Sequence, residues 1–136
     1  MRVFIISSKA FYDRVPKFQK QLEEMGHHIT LPNSIENPDK EGEMRMQGKE
    51  VHAAWKRERF AETAAKVAYV DAVLVLNFEK NGQANYIGGA TFLEVYDAFI
   101  AGKKIFFFNP LPEGMLFDEL NGMSPILIQN DLSKVK

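Results

Sequence analysis

One carboxylate lies where it could perform chemistry. Glu94 follows Gly88-Gly89 near the start of a helical pattern. A carboxylate in the first turn of a helix that faces a cleft can act as a nucleophile or as a base. The spacing Thr91-x-x-Glu94 also fits a capping box, in which Glu94 bonds back to the main-chain N–H of Thr91. Spacing alone favours the cap and leaves both roles open.

Polar residues follow the predicted strands at the positions where each strand ends. Ser7 and Ser8 follow the first strand, Asn77 the third and Asn109 the fourth. A polar loop over 78–88 is longer than the usual ~2–6 residues of such connections, which favours a functional role over a decorative one. In this loop Tyr86 could stack on a flat ring or pack locally.

The elements that must position these residues alternate along the chain. Short apolar runs predict strands over 3–6, 29–31, 70–76, 105–108 and 126–129. Helical patterns cover 16–25, about 44–68, 91–101 and 113–122, and 32–43 reads as a loop. Strands that alternate with helices indicate parallel pairing with right-handed crossovers.

The predicted fold is an α/β three-layer sandwich formed by a single domain over residues 1–136. Its five-stranded parallel sheet has the flavodoxin-like strand order 2-1-3-4-5, the common arrangement for five strands. Ligands of such sheets bind beyond the carboxyl ends of the strands at the switch point, which here lies between strands 1 and 3. Gly88 and Gly89 precede a helix start, where main-chain N–H groups favour an anion, although glycines there are often only turn residues.

Composition excludes several classes of function. The chain has 17 Lys and Arg against 18 Asp and Glu, so nothing suggests a basic surface for a nucleic-acid polymer. No cysteine is present, and His52 is expected to stand alone in a helix, so we expect no metal and no cofactor. Apolar runs are too short for a membrane span and the first residues do not resemble a leader, so we expect a cytoplasmic protein.

The residues resemble those of the nucleoside 2-deoxyribosyltransferase superfamily, which includes small nucleoside and nucleotide N-glycosidases. The resemblance covers most of residues 1–110. Its most specific part is Gly88-Gly89-Ala90-Thr91-Phe92-Leu93-Glu94, followed by Gly102-Lys103-Lys104-Ile105. This stretch is similar to the segment in which the family carries a nucleophilic glutamate ahead of its fourth strand.

The resemblance implies that Glu94 attacks the anomeric carbon of a nucleoside or nucleoside monophosphate. A base leaves, and water or another base accepts the sugar. The substrate would contact residues at the sheet edge and in the 78–88 loop: Ser7, Ser8, Asn77, Lys80, Asn85, Tyr86, Gly88, Gly89 and Asn109. The chain departs from the family at Asn77, where transferases carry acidic pocket residues, and at Ser7-Ser8-Lys9-Ala10, which lacks the glycines of the hydrolases' phosphate loop.

One alternative accompanies this interpretation. The same fold could serve as a non-catalytic nucleotide- or metabolite-binding module, for which Glu94 would not be essential. Met44, Met46 and Trp55 lie in an otherwise charged stretch, where they cover the sheet or a subunit interface. We therefore expect a homodimer or higher homo-oligomer formed by the helix near these residues or by its neighbour.

Overall fold

Continuous apolar runs form the middle of the sheet because both of its faces are covered. The computed structural model describes the whole chain, Met1–Lys136. Its strands are β1 (Arg2–Ile6), β2 (His28–Thr30), β3 (Ala72–Val75), β4 (Lys104–Phe107) and β5 (Ile126–Leu127). All pairs are parallel in the order β2-β1-β3-β4-β5, which confirms the predicted α/β class and strand order.

Helices cover the sheet on both faces. They are α1 (Val15–Glu24), α2 (Lys40–Met46), α3 (Lys49–Tyr69), α4 (Gly89–Ile100) and α5 (Phe117–Gly122), with 3-10 helices over Lys9–Arg14 and Leu132–Lys134. Val67 of α3 and Val95 of α4 belong to the core on one face. Val15 and Leu22 of α1 belong to the core on the other, which completes the three layers.

The predicted helix over 44–68 is wrong in its first part. Two helices replace it, and the first begins at Lys40, inside the segment predicted to be a loop. They are separated at Gly48, whose φ of +122° lies in a region that side-chain-bearing residues rarely adopt. The first of the two helices, α2, buries none of its own residues.

The ends of β1 and β3 lie side by side at the switch point. Ile6 pairs with Val75, and the register brings Ser7 and the segment after β3 to the same edge of the sheet. The loop after β3 turns at Asn81 and Gly82, which both have a positive φ, and a bridge joins Lys80 to Gln83. This edge is where the sequence predicts a ligand.

No helix of the chain is both long enough and apolar enough to cross a membrane.

Candidate active site

A cavity of about 490 Å³ opens above the carboxyl ends of β1 and β3. This volume lies in the range of small-molecule sites. Its walls come from the end of β1, the turn after β2, α2, one face of α3, the 78–88 loop and the first half of α4. Glu94 therefore faces a cavity that is enclosed by elements from most of the chain.

Glu94 lies between α4 and α3, where a short hydrogen-bond relay holds it. The Thr63 hydroxyl donates to Glu94 Oε2 over 3.4 Å, and Asn33 Nδ2 donates to Thr63 Oγ1 over 2.7 Å. Because Asn33 supplies the proton to the Thr63 oxygen, the single Thr63 hydrogen is directed toward the carboxylate. Thr63 is 4% exposed, which makes this orientation rigid.

The capping-box interpretation of Glu94 is wrong. Helix α4 begins at Gly89, two residues before Thr91, and its N-cap Gly88 has no side-chain hydrogen bond. Thr91 is buried rather than at the helix end. The glycines start the helix earlier than the Thr91-x-x-Glu94 spacing suggests, so the Glu94 side chain is free to face α3.

The surroundings of Glu94 change its acidity. Burial raises the pKa of Glu94 to about 7, against the Thr63 hydrogen bond and the charge of Lys66, which both lower it. Asp97, one turn further along α4, also lines the cavity, and burial raises the pKa of its carboxyl. A carboxyl with a pKa near neutrality changes charge in the range where acid–base and nucleophilic chemistry operates.

Six of the residues predicted from the sequence line the cavity together with Glu94: Ser7, Ser8, Lys80, Tyr86, Gly88 and Gly89. Ser7 is nearly buried, and Ser8 caps the first 3-10 helix through Ala10 N. The Lys80 ammonium lies 4.7 Å from the centre of the Tyr86 ring, so the two form one unit at the cavity wall.

Three predicted asparagines lie outside the cavity and tie strand ends together. Asn77 is fully buried, and its amide donates to Pro110 O over 2.8 Å and accepts from Asn109 N over 3.0 Å. Asn109 Nδ2 in turn donates to Asn77 O, and Asn85 O lies 3.5 Å from Asn77 Nδ2. The side-chain amides of Asn77 and Asn109 are taken up by these contacts, and Asn85 takes part only through its main-chain carbonyl. None of the three lines the cavity, so the expectation that Asn77 and Asn109 form the cleft with Ser7 and Ser8 is wrong.

Sequence reasoning missed the contribution of the turn after β2. Asn33 lines the cavity, and the Tyr12 hydroxyl donates to Asn33 O over 2.9 Å. Burial, followed by the charge of Glu94, raises the pKa of Tyr12, so this phenol stays protonated as a donor. Ser7 was identified because it follows a parallel strand at the edge where ligands bind. Asn33 follows β2 at the same edge, so the same argument applies to it.

The α3 face was also missed. Trp55, Arg59 and Thr63 recur at four-residue spacing and line the cavity. We expected Trp55 to cover either the sheet or a subunit interface. It does not cover the sheet, because it forms part of the cavity wall. Sequence periodicity identified the helix but not which stripe faces the ligand space.

His52 does not stand alone as expected. Its Nε2 lies 3.0 Å from Glu41 Oε2, and Arg45 and Lys56 reach the same oxygen at 3.3 and 3.2 Å. Although burial opposes ionisation, the His52 hydrogen bond and the Lys56 charge hold the pKa of Glu41 below its ordinary value. These contacts attach α2 to α3.

The cavity has a different charge balance from the whole chain. Five basic residues line it, namely Lys9, Arg45, Lys56, Arg59 and Lys80, against the acids Glu41, Glu94 and Asp97. The chain as a whole carries a formal charge of -1. No three His, Asp or Glu side chains approach one another closely enough to hold a metal ion.

Two solved structures resemble this chain in fold. A 2-deoxyribosyltransferase from Bacillus psychrosaccharolyticus is 17% identical, with a TM-score of 0.54 over 85% of this chain and 77% of that one. The CMP N-glycosidase BcmB from Clostridium botulinum is 16% identical, with a TM-score of 0.52 over 99% and 95%. No protein-family model and no curated protein matches the sequence.

These similarities confirm the resemblance at the level of the fold. The chain has the fold of the nucleoside deoxyribosyltransferases, with the five-stranded parallel sheet and the strand order described above.

The acidity of Glu94 predicts how stability depends on pH. Because the folded pKa of about 7 lies above the ordinary 4.5, the favourable contribution of protonated Glu94 is complete below about 4.5 and is lost as pH rises through about 7. Glu94→Gln is neutral at every pH. We expect the melting temperature of Glu94→Gln, relative to the unsubstituted protein, to rise between pH ~5 and pH ~8.

Glu113→Gln, at an exposed carboxylate, is the matched control and should show no such trend. If Glu94→Gln lowered the melting temperature equally at both pH values, as loss of a helix cap would, the buried-carboxylate interpretation would be wrong.

Proposed function

We propose that this protein cleaves or transfers at the N-glycosidic bond of a (deoxy)nucleoside or nucleoside monophosphate, with Glu94 as the nucleophile. The observation that carries the proposal is the position of Glu94. Its carboxylate lies in a cavity of substrate size, is held through one oxygen by Thr63, and has a pKa of about 7. No protein hydrogen bond engages Oε1.

The reaction follows from this geometry. Ionised Glu94 attacks the anomeric carbon through Oε1, while the bond to the base nitrogen breaks, its electron pair leaves with the base, and the base takes up a proton from solvent. The result is a glycosyl ester of Glu94. Water or a second base then attacks the same carbon, gives up a proton to solvent and releases the carboxylate. Thr63 and Asn33 hold the other oxygen, so the attacking oxygen starts close to a productive orientation.

Several features favour a nucleoside monophosphate, which is anionic, over an uncharged nucleoside as the substrate. Basic residues outnumber acidic ones at the cavity, which attracts an anionic substrate. Gly88 and Gly89 lie at the start of α4, where main-chain N–H groups and the helix dipole favour a phosphate. Ser7 and Ser8 lie at the same sheet edge and offer further donors.

The names of the two similar structures agree with this proposal. One is a 2-deoxyribosyltransferase and the other a CMP N-glycosidase, so each name describes chemistry at an N-glycosidic bond. Their sequence identity to this chain is low, so the proposal is based mainly on the position and contacts of Glu94.

A direct experiment tests Glu94. A panel of nucleosides and nucleoside monophosphates is incubated with the protein, and base release is followed by chromatography. Glu94→Gln keeps the side-chain shape but removes the nucleophile, so kcat should fall by about three orders of magnitude or more. Glu113→Gln should match the unsubstituted protein. Substrate binding without any base release by the unsubstituted protein would instead identify a binding module.

The pKa of Glu94 predicts the pH profile. Attack requires the ionised carboxylate, which accumulates as pH rises through about 7. We expect kcat/KM to rise about tenfold per pH unit below that value and to level off above it. Measurement of kcat/KM across the range with a reactive substrate checks this. A profile that falls across the same range would mean that protonated Glu94 is the active form.

We further propose that the protein is a homodimer or higher homo-oligomer through α4, the neighbour of α3. Leu93, Tyr96 and Ile100 on α4 are each at least 45% exposed. Such a set on one helix is typical of an interface core. Light scattering at micromolar concentration should report more than one chain per particle, and Ile100→Asp should shift it toward the monomer. A monomeric unsubstituted protein would contradict this.

A further inference from the structure

The second half of the proposed reaction needs a proton acceptor other than Glu94. A water molecule that attacks the glycosyl ester must lose a proton, and the ester oxygen of Glu94 is bonded to the sugar during that step. A base that is positioned to take this proton accelerates such a step by roughly 10²–10⁴-fold. Such a base must come from the residues that line the cavity.

Three carboxylates line the cavity, and only one of them besides Glu94 is free to accept a proton. Glu41 Oε2 lies 3.2 Å from Lys56 and 3.3 Å from Arg45, so this carboxylate is already paired with cations. The Asp97 carboxylate makes no hydrogen bond and no ion pair, and burial alone raises its pKa above the ordinary value. A carboxylate without donors holds a proton more readily than a paired one.

No other group at the cavity is suited to take the proton. Its neutral polar side chains, such as those of Ser7 and Asn33, are hydroxyls and amides, which do not take up a proton near neutral pH. Burial raises the pKa of Tyr12, so its phenol stays protonated. The five basic side chains of the cavity are donors without a lone pair in their charged form. The remaining candidate is Asp97.

The position of Asp97 matches that of a second carboxylate in a glycosidic reaction. Asp97 lies three residues after Glu94 on α4, where side chains share one face of the helix and Cβ atoms are roughly 5–6 Å apart. The nucleophile and the acid–base carboxyl of retaining glycosidases are roughly 5–5.5 Å apart. After burial, the charge of Asp97 is the other cause that raises the pKa of Glu94, as is typical of neighbouring carboxylates.

We propose that Asp97 is the general base that takes a proton from water when water releases the sugar from Glu94. This rests on the proposed function, since it assigns a residue to the second step of that reaction. The water oxygen bonds to the anomeric carbon while its proton passes to an Asp97 oxygen. The bond from that carbon to Glu94 Oε1 breaks, and its electron pair returns to the carboxylate. Asp97, which is half-buried, then passes the proton to solvent.

The charges in the two steps agree with this division of roles. Before the attack on the sugar, the two carboxylates repel each other, which disfavours the state in which both are ionised. The ester of Glu94 is neutral, so this repulsion is absent once the sugar is attached. Asp97 therefore carries its charge most readily in the step that needs a base.

Replacement by asparagine separates the two steps. Asp97→Asn keeps the shape of the side chain but cannot accept the proton, so the ester should form and then persist. With the panel member that is cleaved fastest, release of about one base per protein molecule should precede a steady rate lowered about a hundredfold or more. Mass spectrometry should find the added sugar on the peptide that contains Glu94 in this variant and not in the unsubstituted protein.

Azide distinguishes a lost base from a damaged site. The azide ion attacks carbon without losing a proton, so it needs no general base. Sodium azide should raise the steady rate of Asp97→Asn at least about tenfold and give a glycosyl azide, whereas the unsubstituted protein should change less than about twofold. Asp118→Asn, the same change at an exposed position of α5, should match the unsubstituted protein throughout.

Further variants show that the carboxylate itself is needed. Asp97→Glu retains a carboxylate and should turn over faster than Asp97→Asn. Asp97→Ala should respond to azide as Asp97→Asn does, and it repeats the test if the melting temperature shows that the asparagine variant does not fold.

Failure of this inference differs from failure of the proposed function. If the unsubstituted protein cleaves no member of the panel, the proposed function is wrong and the role of Asp97 falls with it. If it cleaves a substrate and the folded Asp97 variants keep its steady rate, or lose activity that azide does not restore, the reaction stands and Asp97 is not its general base.

Discussion

The burial of one carboxylate between α3 and α4 is the constraint on which the site depends. A carboxylate away from water needs a donor, and Thr63 supplies it from α3. Asn33 donates to the Thr63 oxygen and so keeps the hydroxyl hydrogen directed at Glu94, and Asn33 is held in turn by Tyr12 through its main chain. Four separate segments of the chain are thereby joined at a single oxygen of Glu94.

The sheet makes this convergence possible. Parallel strands end at one edge, so the residues after β1 and β2 and the helix after β3 meet there although they are distant in sequence. Asn77 stabilises this edge of the sheet. Its buried amide joins the end of β3 to the segment after β4, which sets where the 78–88 loop leaves the sheet. Polar residues at strand ends therefore serve both the ligand space and the frame around it.

The sequence predicted the fold better than the details of the site. Apolar runs bounded by Gly and Pro are strong local signals, and they located all five strands, whose order was predicted from the common arrangement of five parallel strands. Asn77 shows the limit, because a polar residue after a strand can point to ligand or to backbone, and only packing decides. The Thr91-x-x-Glu94 spacing failed for a related reason: Gly88 and Gly89 let the helix start earlier, so the local pattern was present without its geometry.

The residues that α3 contributes to the cavity could not be predicted from their spacing in the sequence. Thr63, Arg59 and Trp55 look like an ordinary stripe of an amphipathic helix, and nothing local says that this stripe faces a cavity. The Gly48 break was signalled by glycine itself, but the charged residues on either side continue a helical pattern, which concealed it.

The lysines near Glu94 lower its pKa only in part, because each of them is already paired with another carboxylate. Lys56 and Lys66 both act to lower the pKa of Glu94, yet burial prevails and the value is about 7. Each lysine has a carboxylate partner of its own, Lys56 with Glu41 at 3.2 Å and Lys66 with Glu62 at 3.1 Å. A cation already paired exerts a weaker field on a third group, because the partner's charge opposes it. Burial therefore prevails over both lysines, and Glu94 changes its charge near neutral pH, in the range where acid–base chemistry operates.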